Sequence, residues 1–241
     1  MIVVVDIETR GLDARNFITA CLLKENGKKI HFNSKDELWE YIKELGRKEQ
    51  KRKKILNVYA HHHEFDFYGY ANLSDKDIKF FCFRPFIVSY NINGKKAINF
   101  LDSMSIFKMS LEKLGEMIGL KKLNTPKEFI DAERITKKRV KELRPYVERD
   151  VEIVMKALKI MKEKINIENI QIRRLYTISQ IAIAYLINTL KKDKKWDKMF
   201  FVKERGVLHK TAYKNKIHSA YRGGRCECFK LGEFEEVDYI D

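Results

Sequence analysis

The chain opens with MIVVVDIETR (residues 1–10), an apolar run that ends in two acids. Ile2 to Val5 form an unbroken apolar run. A strand with apolar side chains on both faces belongs in the middle of a sheet. Asp6 and Glu8 follow two residues apart, and residues two apart on a strand share a face. Two carboxylates together at the end of a buried strand repel each other and resist desolvation. A divalent cation relieves both costs, because hard cations take carboxylate oxygens. A D-x-E match alone favours a solvated strand end, and further carboxylates in similar settings are needed to change that.

Working outward, FITACLL and KKIHF read as two strands within residues 17–32, joined at Asn26-Gly27, a strong hairpin signal. Ser34 with Glu37 has the spacing of a capping box. Leu38, Tyr41, Ile42 and Leu45 then give one apolar helical face. The basic run RKEQKRKK (47–54) reads as a solvated loop or a phosphate contact. Ile55 to Tyr59 is a short strand expected beside the first. It ends in His61-His62-His63-Glu64-Phe65-Asp66, where Asp66 is expected to open a helix. Ligand sites of α/β sheets form at such carboxyl ends of strands, so Asp66 becomes the third acid. The three histidines make a poor zinc site, since neighbours point in different directions and no cysteine is near.

KFFCF, FIVSYNI and KAINFLD read as three more strands, the last two turning at Asn93-Gly94. Leu111, Leu114, Met117 and Ile118 form a helical stripe closed by Gly119. Residues 121–144 hold nine Lys/Arg against four acids and no long apolar face, which suits a substrate-facing or solvated segment. Pro145 suits the first turn of a helix. Tyr146 and Asp150, at i and i+4, share one face of it. A second long helix is expected from Ile167 to Leu190. The segment Ser219-Ala-Tyr221-Arg222-Gly223-Gly224-Arg225 breaks the helical pattern and suits a turn whose backbone approaches a phosphate.

With 241 residues the chain suits one large domain or a domain plus an extension. A formal net charge of +15 and a pI near 9.5 point to a polyanionic partner, nucleic acid first. The Lys, Glu and Ile abundance also fits a thermophile, although that leaves the excess over acids unexplained. Cys21, Cys82, Cys226 and Cys228 form no disulfide framework. No apolar run is long enough to cross a membrane. A soluble protein of the cytoplasm is expected.

The acids Asp6, Glu8, Asp66 and Asp150, with Tyr146, resemble the DEDDy class of 3′→5′ exonucleases, in the motifs VVDIET, HHHEFD and YVERD. Tyr59 to Asp66, FLDSMS, YVERD and AYRGGR narrow this to a resemblance to protein-primed family B DNA polymerases of the phage type. The resemblance implies an α/β, RNase H-like exonuclease fold, a mixed central sheet flanked by helices, with a C-terminal helical extension. It divides the chain into an exonuclease domain (1–165), a basic helical connector (166–218) and a YxGG linker with the first strand of a polymerase palm (219–241). EEVDYID ends the chain where the first polymerase motif would begin, and Asp241 stands at its aspartate. These 241 residues are therefore not expected to polymerise.

What the resemblance implies for chemistry is hydrolysis of single-stranded DNA 3′ ends to nucleoside 5′-monophosphates. Asp6, Glu8, Asp66 and Asp150 would hold two divalent cations, Mg2+ or Mn2+, and Tyr146 would orient the attacking water. Thr9, His62, Phe65, Ser103 and Met104 match positions that hold the frayed 3′ end. Tyr221, Arg222, Gly223, Gly224 and Arg225 match the linker that guides the strand. The family has asparagine where His62 stands, and it uses a lysine for which Lys121, Lys122 and Lys127 all qualify. Implied partners are the DNA 3′ end, a priming terminal protein and a polymerase domain, with no membrane. The alternatives are a catalytically silent single-strand-binding module of the same fold, an RNA-directed exonuclease, and a zinc module of His209, His218, Cys226 and Cys228.

Overall fold

The computed structural model describes residues 1–10, 13–83, 85–124, 137–168, 170 and 176–192. The chain divides into two compact units, Met1–Thr189 and Leu190–Asp241, and the sheet with its candidate site lies in the first. That unit runs past residue 165, where the sequence reading ends the exonuclease domain.

Seven strands form one mixed sheet. They are β1 (Ile2–Thr9), β2 (Phe17–Lys24), β3 (Lys29–Phe32), β4 (Leu56–Ala60), β5 (Ile78–Phe83), β6 (Phe86–Ile92) and β7 (Lys95–Asp102), in the order β3-β2-β1-β4-β7-β6-β5. The first strand is central, as its two apolar faces require. It pairs antiparallel with β2 and parallel with β4, and β4 pairs parallel with β7. Both hairpins fall where expected. Gly27 turns β2 into β3 with φ +88°, and Asn93 (φ 51°) with Gly94 (φ 72°) turns β6 into β7. Two consecutive left-handed residues are what a tight hairpin turn demands, and Asn-Gly meets that at least steric cost.

The sheet separates two cores. Val3, Val5 and Ile7 face one layer, with α1 (Lys35–Lys51) and α2 (His63–Tyr70), where Trp39 packs on Phe67, Tyr90 and Phe100. Val4, Tyr59 and Leu101 face the other, with α3 (Leu111–Met117) and α4 (Lys137–Ile167), which contributes Val147, Val151, Val154 and Leu158. One face of α5 (Ile178–Lys192) joins this second core through Ile181.

Five element-level expectations are corrected. Residues 47–51 of the basic run are the last turns of α1, which reaches Lys51, and residues 52–54 leave the helix as a turn. The end of α1 stays helical because one side is buried: Gly46 lies against Ile98, and Glu49, 3% exposed, pairs with the N-terminal ammonium and Arg52. Asp66 does not open α2, which starts at His63 with His62 left-handed at its N-cap (φ 70°). Pro145 lies inside α4 rather than in its first turn. Proline has no N–H to give the carbonyl of Lys141, a residue that is itself exposed. The helix expected from Ile167 is broken, since α4 ends at Ile167 and α5 begins at Ile178. Thr177 Oγ1 accepts the Gln180 N–H (3.2 Å), and Gln180 Oε1 accepts the Tyr176 N–H (3.2 Å), a T-x-x-Q start signal. Met117, placed in the apolar stripe of α3, is 62% exposed.

Candidate active site

Where β4 ends, a gap opens beside β1. The β1–β4 ladder stops at Val4↔Tyr59, so the Ile7 N–H has no strand partner on that side. It donates instead to Asp66 Oδ1 at 3.1 Å. Asp66 thus reaches the strand from the α2 layer and is buried. On the opposite face of β1, the alternation that sends Val5 and Ile7 to α1 and α2 sends Asp6 and Glu8 to α4. There Asp6, Glu8 and Asp150 bring one carboxylate oxygen each within 4.8 Å of one another. Tyr146, one turn before Asp150, is buried on the same helix face.

Lys122 is the cation of this cluster. Gly119 (φ 67°) ends α3, the Leu120 N–H donates to Gly115 O (2.8 Å), and the chain turns back across α4. The Lys122 ammonium donates to Asp150 Oδ2 and stands 4.8 Å from the Tyr146 ring centre. Of the three lysines considered, Lys121 is exposed and Lys127 lies outside the described residues. Burial opposes the charge on Lys122, but Asp150 and Tyr146 outweigh it and hold the ammonium above its ordinary range.

The acids are strained by their surroundings. Burial first, then Asp150, Asp66 and Glu8, raise the Asp6 carboxyl well above its usual range. Burial and Asp150 push Glu8 up to about 7. Burial raises Asp66 against the Ile7 hydrogen bond, and burial raises Asp150 against Lys122. Asp150 Oδ1 is buried with no hydrogen-bond partner among the described residues. A buried acceptor without a donor, beside two more carboxylates under mutual repulsion, fits an all-oxygen site for a hard divalent cation.

The residues expected at the 3′ end divide by exposure. Thr9 lies at the end of β1, past a register shift after Glu8. His62 is exposed, and Phe65 and Met104 are half-buried. Ser103 is fully buried, with Oγ 2.9 Å from His61 Nδ1, so its side chain faces a neighbour rather than the surface. His62, Met104, Ser105 and Lys108 line a cavity of about 720 Å3 with Thr177, Ile178 and Ser179. His61 and His63 are taken up by hydrogen bonds within the fold. His61 Nε2 donates to Met109 O (3.0 Å), and His63 Nδ1 donates to Leu101 O while its Nε2 accepts from the Tyr70 hydroxyl. Burial lowers the His61 imidazole below its usual value and takes His63 down to about 4. The linker residues Tyr221, Arg222, Gly223, Gly224 and Arg225 lie outside the described residues, as do His209, His218, Cys226, Cys228 and Asp241.

Sequence reasoning missed Asp102 and could not choose Lys122. Asp102 stands in the quoted FLDSMS, but only the end-to-end register of β4 and β7 shows what it touches.

A mixed sheet with antiparallel outer strands, parallel central ones and an acid cluster at their carboxyl ends is the RNase H-like exonuclease fold. Structural comparison agrees. Phi29 DNA polymerase complexed with primer-template DNA and incoming nucleotides matches 93% of this chain at 15% identity, with a TM-score of 0.61. The same enzyme complexed with primer-template DNA alone and with single-stranded DNA matches the same share at 15% identity, with TM-scores of 0.59 and 0.57. The chain spans about 40% of the length of these polymerases. By sequence, no curated protein matches it. The family of DNA polymerases type B, organellar and viral, matches residues 121–241, half of the chain, and the chain belongs to that family.

Proposed function

We propose that residues 1–165 are a metal-dependent 3′→5′ exonuclease that removes nucleotides from single-stranded DNA ends, the proofreading part of a protein-primed type B polymerase. In this reading residues 166–218 are a connector, and 219–241 are a strand-guiding linker with the start of a palm. The observation that carries the proposal is the convergence of Asp6, Glu8 and Asp150 within 4.8 Å, with an unpartnered buried oxygen on Asp150.

Asp6, Glu8, Asp66 and Asp150 would hold the cations. Bound divalent ions supply Lewis acidity and a water of lowered pKa at neutral pH. The chain's own groups supply position and charge. Lys122 opposes the rise that burial imposes on the Asp150 carboxyl, and Asp66 fixes the end of β1 through the Ile7 amide. Tyr146 would hold the attacking water by its hydroxyl, which can both donate and accept a hydrogen bond. Exposed His62 and half-buried Phe65 and Met104 would receive the terminal nucleotides, with Phe65 stacking on a base. Phi29 polymerase is complexed with single-stranded DNA, which supports DNA as the substrate class.

The test is digestion of single strands labelled at the 5′ end, as DNA and as RNA, in Mg2+ and in EDTA. The reading expects a Mg2+-dependent ladder shortening one nucleotide at a time from the 3′ end of DNA. Single-strand binding with no shortening in Mg2+ or Mn2+ would instead assign a silent binding module.

A further inference from the structure

Asp102 is the last residue of β7 and the register partner of Ala60, the last residue of β4. Two chains leave the sheet here side by side, and each carries residues expected to touch the DNA end. One carboxylate oxygen, Asp102 Oδ1, accepts both the His62 N–H and the Met104 N–H, each at 2.9 Å. The same oxygen therefore caps the 3-10 turn at Ser103–Ser105 and holds the N-cap of α2. His61 adds a second tie between the same two chains through Ser103 Oγ and Met109 O.

The tie answers a conformational problem. His62 sits at φ 70°, the left-handed region that residues other than glycine seldom adopt. Such a backbone persists only where the surroundings over-determine it. A charged acceptor on the His62 N–H, shared with the facing loop, does that. Asparagine, the residue expected here from the resemblance, tolerates this backbone region too.

We propose that Asp102 is a positioning residue for the 3′ end. It sets the distance between the His62 loop and the Met104 loop, and so the width of the cleft that receives the terminal nucleotides. It lines the same cavity as His62 and Met104, and it acts by holding their two loops. This rests on the exonuclease reading for its substrate, but not for its geometry.

The test compares Asp102→Ala with Asp102→Asn, because the asparagine carbonyl keeps an acceptor in place while removing the charge. Three quantities are read: amide hydrogen exchange at His62 and Met104, affinity for a short single-stranded DNA in EDTA, and KM with kcat in Mg2+. Asp102→Ala should speed exchange at both amides and raise Kd and KM about tenfold or more, the scale of losing hydrogen bonds to a charged acceptor. Its kcat should change less than threefold, and Asp102→Asn should restore most of each property. Unchanged exchange at both amides in Asp102→Ala overturns the proposal. So does an Asn variant as defective as Ala, which would make charge rather than the tie the cause. If the wild type releases no nucleotide, the exonuclease reading fails while exchange and binding still judge the tie. A melting curve on each variant identifies global unfolding, and exchange faster throughout the sheet rather than at the two loops also counts against it.

Discussion

At the scale of single residues, two buried groups pull stability in opposite directions with pH. His63 is neutral in the fold, held down to about 4 by burial, against 6.5 for a free imidazole. As pH falls from 6.5 towards 4, the unfolded chain binds a proton that the native chain refuses, so stability is lost on the acid side. The shift corresponds to about 3 kcal/mol. Glu8 is the reverse. Its folded value near 7 exceeds the free 4.5, so metal-free stability falls as pH rises through 4.5 to 7. Melting in EDTA from pH 4 to 8 separates them: His63→Asn should flatten the acid-side loss, and Glu8→Gln should flatten the neutral-side loss. In EDTA at pH 7.5, Asp6→Asn should melt higher than the wild type, because it removes a charge that burial and three acids oppose. Lys122→Met should melt lower, because it removes the cation paired with Asp150. Tyr146→Phe should reduce turnover by at most about 10²-fold, the low end for a group that handles protons, with little change in DNA affinity. At this scale the acids were legible, since each follows a buried strand or sits at i+4 from an aromatic. Lys122 was not, because only the backbone turn after α3 separates it from Lys121.

At the scale of elements, α4 carries Tyr146 and Asp150 on one face and is fastened by another. Glu148 and Glu152 both take the Lys29 ammonium of β3, at 2.6 and 2.5 Å, and Glu148 also meets His31 Nε2 at 2.8 Å. These groups are partly exposed, so each pair contributes about 0.5–1 kcal/mol at most. Their use is to fix the helix against the sheet edge. The route from α3 to Lys122 is tighter. A Cβ on Gly115 would stand 2.6 Å from Leu120 O and 3.3 Å from Lys122 N, both backbone atoms that cannot swing aside. Gly115→Ala should therefore displace the 120–122 segment, cost about 1–3 kcal/mol of stability, and lower nucleotide release beyond what its melting temperature explains. Comparing activity with melting for Gly115→Ala and for a Glu148→Gln/Glu152→Gln double variant checks both ideas. Elements with a local signature were readable: the Asn-Gly hairpins, the Ser34 cap, the apolar first strand. Those decided by burial were not. The basic end of α1 stays helical because Gly46 and Glu49 are covered, which no local pattern announces.

At the scale of the whole molecule, the sheet order follows from the central first strand, and the acids gather where the parallel strands β1, β4 and β7 end. At 15% identity, the chain shares its fold with Phi29 polymerase. The net charge of +15 would favour DNA long before any contact forms, so affinity for single strands should fall steeply with salt. No helix among the described residues is long and apolar enough to cross a membrane. In the proposed reaction Asp6, Glu8 and Asp150 jointly hold the ions that cleave a DNA 3′ end. The most direct measurement is release of the 3′-terminal nucleotide from a 3′-labelled single strand in Mg2+, comparing the wild type with Asp6→Ala. Mg2+-dependent release of a nucleoside 5′-monophosphate by the wild type, lost by at least about 10²-fold in a folded Asp6→Ala protein, is the predicted result. Release at the wild-type rate by Asp6→Ala would contradict it.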